Sequence, residues 1–396
     1  MKDRARWAPM LISVLFLLIL TVSGVGIFLF QRQVSEVENR VLQTFPKPNT
    51  SDVLSGKWQE DFETFTADQF PLRDGLNSLA GSIRYALGRR ELGGVLIGRT
   101  ADGVIRLFEA PGYDPERTER LSDTLDAIDR FAACMGDAET VFLPIPSSGM
   151  IYGEDMPPHT GADELETLYA MASAAGESYT AVSPLQAILD AKTANGESLY
   201  FRTDHHWTVR GACAAYDAYC EALGMTPADA DFERLSDSFY GTLFSKAPLP
   251  SITPDTLEKS TLDVSGVHIY AGGGYGGTQN LAEIPLYHDD ALSRKDKYEY
   301  FMGGNYGLAV IENDALTDGK TLLLFKDSFA DCFVPFLTAH YSRIVMIDPR
   351  YYRGSSGDLR SLIETESPSD VLFLYEIATL ADDTSLHPLL ERVVGE

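Results

Sequence analysis

The sequence predicts an α/β fold in which a parallel sheet is flanked by helices. The runs TVFLPIP, TLLLF, RIVMID and DVLFLYE are short and apolar throughout, as is typical of strands buried on both faces of a parallel sheet. Segments with helical spacing of apolar residues alternate with these runs. One such segment precedes TVFLPIP and carries Leu121, Leu125, Ile128 and Phe131.

The bulk composition limits the classes of function. The chain has 396 residues and is 44% hydrophobic, which is enough for one large core or two modest domains. Its formal charge of −26 argues against general nucleic-acid binding, because such a surface repels phosphates. The four cysteines form no CxxC spacing, so neither a disulfide scaffold nor a cysteine zinc site is expected.

The N-terminal region predicts a membrane anchor. Residues 7–30 are uncharged and mostly apolar, and as a helix they would extend about 36 Å, more than the roughly 30 Å of a bilayer core. The basic tail of residues 1–6 predicts a cytoplasmic N-terminus and an extracellular body in a single-pass cell-membrane protein. A cleaved signal peptide is the alternative, with Ser23 and Gly24 as small residues, but its apolar region is normally about 7–15 residues.

Residues 31–102 form a predicted juxtamembrane segment with two amphipathic helices, one around Trp58 to Phe65 and one from Leu72 to Leu87. Both are predicted to be structural elements that pack on the body. Residues 103–396 form the predicted α/β domain. Within it, residues 232–312 are rich in Gly and Tyr and predict an insertion of strands and loops.

The stretch LLLFKDSFADCF contains a candidate nucleophile. An apolar strand runs into Lys-Asp-Ser and then into a predicted helix, so Ser328 would lie at the carboxyl end of a strand. Open α/β sheets bind ligands there, and a helix N-terminus suits a developing oxyanion. A serine becomes a nucleophile when a base can reach it. Taken alone, the stretch favours the alternative, a serine that caps the helix.

The stretch YFRTDHHWT supplies an acid and a base. If it is extended, Asp204 and His206 face the same way and His205 faces the opposite way. Asp204 would then orient His206, whose other ring nitrogen takes a proton from Ser328. Thr208 is a predicted N-cap of the following helix.

A metal site is the other interpretation of this cluster. Asp204, His205 and His206 can each ligate zinc, but adjacent histidines in an extended segment do not readily converge on one ion. There is no HExxH motif. A further ligand would have to come from His288 or His340, and the sequence spacing supports neither. We rank the triad first, a structural role second and a metal site last, so no metal is predicted.

Three motifs together resemble the DHHW family of bacterial envelope proteins: DHHW itself, the later FKDSF, and the early ENRVLQTFPKP with DQFPLRD. The resemblance covers most of the chain beyond the anchor. That family is similar to the SGNH hydrolase-like acetyltransferase domains of alginate O-acetylation proteins. In those domains a D-x-H-W motif gives the acid and base, and a later G-D-S-type motif gives the nucleophile.

The resemblance implies that Asp204 is the acid, His206 the base and Ser328 the nucleophile, with the Ser328 backbone amide as one oxyanion donor. It implies an O-acyltransferase, with acetyl expected, that modifies a cell-envelope polysaccharide through an acyl-serine intermediate. No cofactor is expected. The acyl group would come from an acylated substrate or a partner, and in related systems that partner is often a multi-spanning membrane acyltransferase.

The sequence departs from the family pattern at two points. Lys326 stands where Gly is usual in a G-D-S block, and there is no clear G-x-N-D block. Candidate oxyanion or substrate-binding residues are Asn305, Arg350, Tyr351 and His205, and Arg350 suits an anionic sugar or an oxyanion. Two alternatives therefore stay open: an SGNH-type carbohydrate esterase with the same triad, and an inactive glycan-binding or assembly protein.

Overall fold

The computed structural model describes residues 4–112, 114–158, 160, 162–174, 176–195, 198–274, 276–317 and 319–395. Residues 1–3 of the predicted cytoplasmic tail lie outside this set. The chain divides into two compact units. The first runs to Gly93 and includes Phe244–Ile252, and the second comprises Gly94–Leu243 and the chain from Thr253 onward.

The first unit contains the apolar N-terminal helix. Its elements are the helices α1 (Arg4–Leu29), α2 (Thr50–Ser55), α3 (Lys57–Asp68) and α4 (Arg73–Ala86) and the short strands β1 (Val34–Ser35), β2 (Arg40–Val41) and β3 (Glu91–Leu92). Among the described residues, α1 is the one helix long and apolar enough to cross a membrane, over Pro9–Leu29. Its length and composition are compatible with the predicted anchor, and a signal sequence has the same features.

The helix α3 buries its aromatic face within this unit. Phe65 packs edge-on against Phe45 with ring centroids 5.4 Å apart, and it also contacts Phe28 of α1 at 5.9 Å. At the end of α3, the buried Asp68 accepts a hydrogen bond of 2.9 Å from Arg40. This bond, which lowers the pKa of Asp68, joins the ENRV motif to the segment that precedes FPLRD.

The second unit contains the α/β domain. Its helices are α5 (Arg117–Cys134), α6 (Ser148–Ile151), α7 (Ala162–Ala172), α8 (Leu185–Asn195), α9 (Val209–Ala222), α10 (Thr242–Lys246, which continues past the end of this unit's segment), α11 (Val334–Leu337), α12 (Ser356–Glu366), α13 (Ile377–Asp382) and α14 (Leu386–Val394). Its strands are β4 (Val95–Arg99), β5 (Ile105–Glu109), β6 (Glu139–Ile145), β7 (Thr180–Ala181), β8 (Phe232–Phe239), β9 (Asp255–Ser260), β10 (Val267–Gly272), β11 (Ala282–Ile284), β12 (Leu308–Asn313), β13 (Lys320–Lys326), β14 (Tyr341–Ile347) and β15 (Asp370–Glu376).

The main sheet has eight strands in the order β11-β10-β12-β14-β13-β15-β6-β7. The pairs from β14 to β7 are parallel, whereas β12, β10 and β11 pair antiparallel. The α/β prediction is confirmed, and the sheet is mixed instead of wholly parallel. The difference arises in the Gly- and Tyr-rich region, where three successive strands extend the sheet through connections that reverse the chain.

The strands of the parallel part are covered on both faces. Along β13, Leu322 and Leu324 belong to one hydrophobic cluster, whereas Leu323 and Phe325 belong to a second one. This alternation follows from the period of two along a strand. Phe325 also stacks on Phe373 of β15 at 4.9 Å. Neighbouring strands therefore share both clusters, and their polar residues are confined to the strand ends.

Candidate active site

Ser328 lies just beyond the carboxyl end of β13. It begins a three-residue 3₁₀ turn, and the intervening Asp327 is buried. One carboxylate oxygen of Asp327 accepts the Phe329 N–H at 2.9 Å, and the other accepts the Glu376 N–H at 2.8 Å. Asp327 therefore fixes the serine turn to the end of the adjacent strand β15.

The helix predicted after the serine is much shorter than expected. The 3₁₀ turn is followed only by the four-residue α11, which has Pro335 in its first turn. The segment is buried along most of its length, so packing determines its path more than helical periodicity does. Such short turns have little macrodipole. What remains is the Ser328 backbone N–H, which has no acceptor within its own turn.

The DHHW motif lies in a loop that is closed at its base. Tyr200 and Trp207 form an isolated antiparallel bridge. Thr208 then caps α9, because its hydroxyl oxygen accepts a hydrogen bond of 3.4 Å from the Gly211 N–H. The predicted cap is confirmed, and it holds residues 201–206 in a fixed bend.

The structure brings Asp204, His206 and Ser328 together. His206 Nδ1 lies 2.6 Å from Asp204 Oδ1, and His206 Nε2 lies 2.7 Å from Ser328 Oγ. An ionised carboxylate can only accept, so Nδ1 carries the proton and Nε2 accepts from the serine hydroxyl. This arrangement can draw the proton from Ser328 while the carboxylate stabilises the imidazolium.

The sequence analysis missed two residues that hold Asp204. Thr242 donates to Asp204 Oδ2 from its backbone N–H at 2.8 Å and from its hydroxyl at 3.0 Å. At Gly241, an added Cβ would lie 2.2 Å from Asp204 Cβ, so a larger residue would displace the acid. Nothing in the motif SFYGTLF marks these positions, because their role arises from a tertiary contact.

His205 lies on the cleft side, contrary to the expectation that it faces away. Its ring is 3.8 Å from the His206 ring, and its Nδ1 is 2.7 Å from Thr242 Oγ1. Since that hydroxyl donates to Asp204, it accepts the hydrogen bond from His205 Nδ1–H. The expectation was wrong because the His206 N–H bonds to Asp204 Oδ1 at 3.0 Å, which closes a bend where alternation does not apply.

Two aromatic residues lock the base and the serine turn. Tyr298 stacks on the His206 ring at 3.8 Å and donates its hydroxyl to the Ser328 carbonyl at 3.0 Å. Trp207 donates Nε1–H to the Phe329 carbonyl at 2.9 Å. Tyr298 comes from the Gly- and Tyr-rich region, and no sequence signal singles it out among the tyrosines there.

Lys326 replaces the usual glycine and is fully buried. Its ammonium donates to Asp331 Oδ1 at 2.7 Å and to Asn305 Oδ1 at 3.1 Å. Because an ammonium can only donate, the Asn305 amide oxygen is held toward Lys326 and its NH₂ group is directed away. Asn305 lines the same cleft as Ser328. Burial raises the pKa of Asp331 to about 6 even though Lys326 opposes the shift.

The two remaining candidate residues, Tyr351 and Arg350, lie in different cavities. Tyr351 lines the Ser328 cleft and is 42% exposed. Arg350 instead forms a two-point contact with Asp348, at 2.9 and 2.7 Å, and lines another cavity of about 370 Å³ beside Glu109. A carboxylate two residues earlier in the IDPR motif thus engages this arginine, and Arg350 is not brought to the serine.

The Ser328 cleft is acidic. Its volume is about 440 Å³. The described residues that line it include no lysine or arginine, and its acidic lining comprises Asp204, Asp296, Glu299 and Asp331. Burial, reinforced by Asp204 and Glu299, raises the pKa of Asp296 to about 6. The cleft therefore favours neutral or positively charged molecules over anionic ones.

The surroundings shift the pKa values of the acid and the base in the same direction. Burial raises the pKa of Asp204, but the neighbouring His205 and His206 outweigh it and hold that pKa below its usual range. Burial, with a further contribution from His205, lowers the pKa of His206 to about 4, although Asp204 opposes this change. The imidazole is therefore neutral and able to accept a proton near pH 7.

Among the described residues, one group of side chains has ligand atoms close enough together to hold a metal ion. The ligand atoms of Asp204, His205 and His206 lie within 4.8 Å of one another. Both nitrogens of His206 and the Nδ1 of His205 are already engaged in hydrogen bonds with Asp204, Ser328 and Thr242. A cation bound here would compete with the hydrogen bonds that join the triad.

Comparison with protein families supports the motif-based resemblance. The model described as DHHW protein matches residues 186–347, and the model described as SGNH hydrolase-like domain, acetyltransferase AlgX, matches residues 107–239. A search of curated proteins finds no match. The predicted resemblance to both groups is therefore confirmed.

Solved structures share the fold. A DHHW family protein from Eubacterium siraeum superposes with a TM-score of 0.60 at 22% identity, covering 76% of this chain and 96% of that one. PatB1 from Bacillus cereus gives a TM-score of 0.60 at 19% identity, over 75% of this chain and 99% of its own. A structure of PatB1 with a sulfonyl adduct gives 0.57 at 18% identity, with the same coverage. The SGNH-like α/β fold is thus confirmed.

The pKa of His206 predicts how Ser328 reactivity depends on pH. His206 accepts the serine proton only when neutral, and its pKa is lowered from 6.5 to about 4. We therefore expect the rate of Ser328 labelling by a fluorophosphonate to hold below pH 6.5 and to fall as the pH approaches about 4. Mass spectrometry of the adduct across this range gives the rate, and circular dichroism at each pH verifies folding.

The control for this profile is His205→Ala. Removing the neighbouring ring removes a group that lowers the pKa of His206, so the decline should move to higher pH. A wild-type decline centred near pH 6.5, in protein that remains folded, would contradict the assignment of His206 as a buried base.

Proposed function

We propose that this protein is a membrane-anchored, extracellular O-acyltransferase that transfers an acyl group, expected to be acetyl, to a cell-envelope polysaccharide. The observation that carries the proposal is the hydrogen-bonded series from Asp204 through His206 to Ser328 in one open cleft. The match to a family model described as an acetyltransferase supports the choice of reaction.

The reaction proceeds through an acyl-serine. Ser328 Oγ attacks the carbonyl carbon of the acyl donor while its proton passes to His206 Nε2, and Asp204 stabilises the imidazolium. The tetrahedral intermediate collapses, and His206 returns the proton to the leaving group. A sugar hydroxyl then gives its proton to His206 and attacks the ester carbon. The second tetrahedral intermediate collapses, the bond to Ser328 Oγ breaks, and His206 returns the proton to Ser328 Oγ, which leaves the acyl group on the sugar oxygen.

The oxyanion of each tetrahedral intermediate needs hydrogen-bond donors. We assign this role to the backbone N–H of Ser328 and to the side-chain NH₂ of Asn305. The contact from Lys326 to the Asn305 carbonyl oxygen favours an orientation in which the NH₂ is free to donate. Lys326 thus acts as a positioning residue for Asn305, whose NH₂ group takes the place of the missing oxyanion motif.

The anchor and the donor complete the proposal. α1 would hold the catalytic domain at the outer face of the cell membrane. The acyl group would come from an acylated substrate or from a membrane partner that carries it across, and acyl transfer by a serine needs no cofactor.

The two alternatives differ from the proposal in specific observations. An esterase would use the same residues, with water in place of the sugar hydroxyl at the second step. An inactive assembly protein would have no need to keep His206 and Ser328 within hydrogen-bond distance, and here they are 2.7 Å apart. That distance favours an active serine.

The triad can be tested by covalent labelling. We expect a fluorophosphonate adduct on Ser328 in the full-length protein, located by mass spectrometry. Ser328→Ala removes the attacking atom and should abolish labelling. Asp204→Asn preserves the shape but removes the charge, and should slow labelling on the order of 10⁴-fold. If the folded wild-type protein gives no adduct, the inactive alternative is favoured.

The oxyanion assignment can be tested separately from the triad. Removal of one oxyanion donor typically costs about 10²–10³-fold in kcat, and we expect that loss for Asn305→Ala in the hydrolysis of a 4-nitrophenyl ester. Lys326→Met should reduce kcat as well, since the amide is no longer held. Tyr351→Phe, in the same cleft, is the matched control and should retain kcat. A fall in substrate affinity with unchanged kcat would assign Asn305 to binding instead.

The acceptor distinguishes a transferase from an esterase. We expect the acyl-enzyme to transfer its group to oligosaccharides without charge, and to transfer poorly to polyuronates, because the cleft lining is acidic. Products are quantified by mass spectrometry against release of free acid. Release of free acid alone, with every glycan tested, would establish the esterase. A preference for polyuronates would contradict the charge argument.

A further inference from the structure

Exposed apolar side chains are concentrated in the first unit. Apart from α1, Phe30 directly after it, and Tyr351, the large hydrophobic residues exposed among the described residues all lie within residues 34–87. The largest regular group begins at the N-terminal end of α4. It consists of Leu72, Leu76, Leu79, Ile83 and Leu87, with exposed fractions of 83, 47, 57, 51 and 83%.

These five residues form one stripe, which is named here the α4 stripe. Leu76, Leu79 and Ile83 are spaced by three and four, which places them on a single face of α4. Leu72 and Leu87 are the residues that directly precede and follow the helix. The opposite face is the one that packs within the unit. Ser78 donates to the Pro248 carbonyl at 3.0 Å, and an added Cβ at Gly81 would lie 3.5 Å from Leu249. A surface helix of a soluble protein buries its apolar face. The helix α4 does the opposite, because its apolar face is exposed and its small and polar face packs.

The second predicted amphipathic helix is present as α4, and its packing on the body stays a prediction. Helical periodicity identifies a stripe but does not show what covers it. Small and polar residues on the opposite face allow the close contact with the unit. The apolar stripe then needs another environment, because contiguous exposed apolar surface marks an interaction site.

The charge around α4 is opposite to that of the chain. Residues 75–90 include Arg84, Arg89 and Arg90 and no acidic residue, whereas the chain as a whole carries a formal charge of −26. The three arginines are exposed. An amphipathic helix with an apolar face and flanking arginines matches an interface with anionic lipid headgroups.

The position of α4 relative to α1 indicates which partner would cover the α4 stripe. Both helices belong to the first unit. An added Cβ at Gly26, one turn before the end of α1, would lie 2.6 Å from Pro71 Cγ. Phe30, directly after α1, lines a cavity together with Leu72. The stripe therefore starts at the level where α1 would leave a bilayer.

We propose that α4 lies in the interface of the membrane that α1 spans, with the α4 stripe in the acyl-chain boundary and the flanking arginines at the headgroups. The partner is the lipid surface itself, favoured over a protein by the arginines and by continuity with α1. This inference rests on the anchor in the proposed function and is independent of the chemistry at Ser328.

The test measures the environment of single nitroxide labels on the full-length protein in nanodiscs that contain phosphatidylglycerol. Labels are placed by Leu79→Cys and, as the matched control off the stripe, Asn77→Cys. Leu18→Cys reports on α1. Cys134 and Cys213 are first replaced by serine, because neither is buried. Collision with oxygen, which concentrates in lipid, is compared with collision with a water-soluble nickel complex.

We expect the label at residue 79 to collide more with oxygen than with nickel, as at residue 18, and the label at residue 77 to show the reverse. Equal nickel access at residues 79 and 77, with residue 18 in lipid, would overturn the proposal and leave the anchor intact. Shielding of residue 79 from both agents would show a protein partner or a second copy, and would also overturn it.

A further readout separates this inference from the proposed function. If residue 18 is accessible to nickel, the anchor fails and the interfacial helix fails with it. Ser328 labelling by a fluorophosphonate on the same nanodisc sample reports independently on the acyl chemistry, so a failed interface and a failed active site give different results.

Discussion

The buried carboxylate of Asp204 is the constraint on which the site depends. A buried charge is costly unless hydrogen bonds satisfy it, and this one receives four, from the backbone N–H groups and side chains of His206 and Thr242. Meeting that requirement bends the DHHW loop, orients the imidazole and draws in the segment at Gly241. The same bonds that make the carboxylate tolerable also direct His206 Nε2 toward Ser328.

A second buried charge explains the departure from the family motif. Glycine before Asp-Ser would leave the Asn305 amide and Asp331 without their common partner, whereas Lys326 satisfies both. The price is a fully desolvated ammonium, which the carboxylates of Asp331 at 2.7 Å and Asp348 at 3.8 Å compensate. The lysine is thus part of a self-consistent arrangement around the serine turn, and its presence does not by itself argue against activity.

The sequence predicted a feature best where a single strand or a single motif determines it. Continuous apolar runs such as LLLF identified strands buried on two faces. The motif resemblance grouped Asp204 and His206 with Ser328, which lies 122 residues after His206. The sequence was least informative where distant segments meet. Thr242 and Tyr298 act only through tertiary contacts, and the side occupied by His205 depends on a bend that alternation cannot reveal.

The surface around α4 and the Ser328 cleft differ in the sign of their charge. A strongly acidic chain is repelled by an anionic lipid surface as well as by nucleic acid, so a stable lipid contact requires a local exception, and residues 75–90 are such an exception. The acidic lining of the Ser328 cleft has the converse effect and disfavours anionic molecules. If the protein is an enzyme anchored as proposed, it meets anionic headgroups at high local concentration, and the acidic cleft would exclude them from Ser328. Under the proposed function, the charge pattern that suits a neutral glycan would therefore also protect an acyl-serine from anionic lipid.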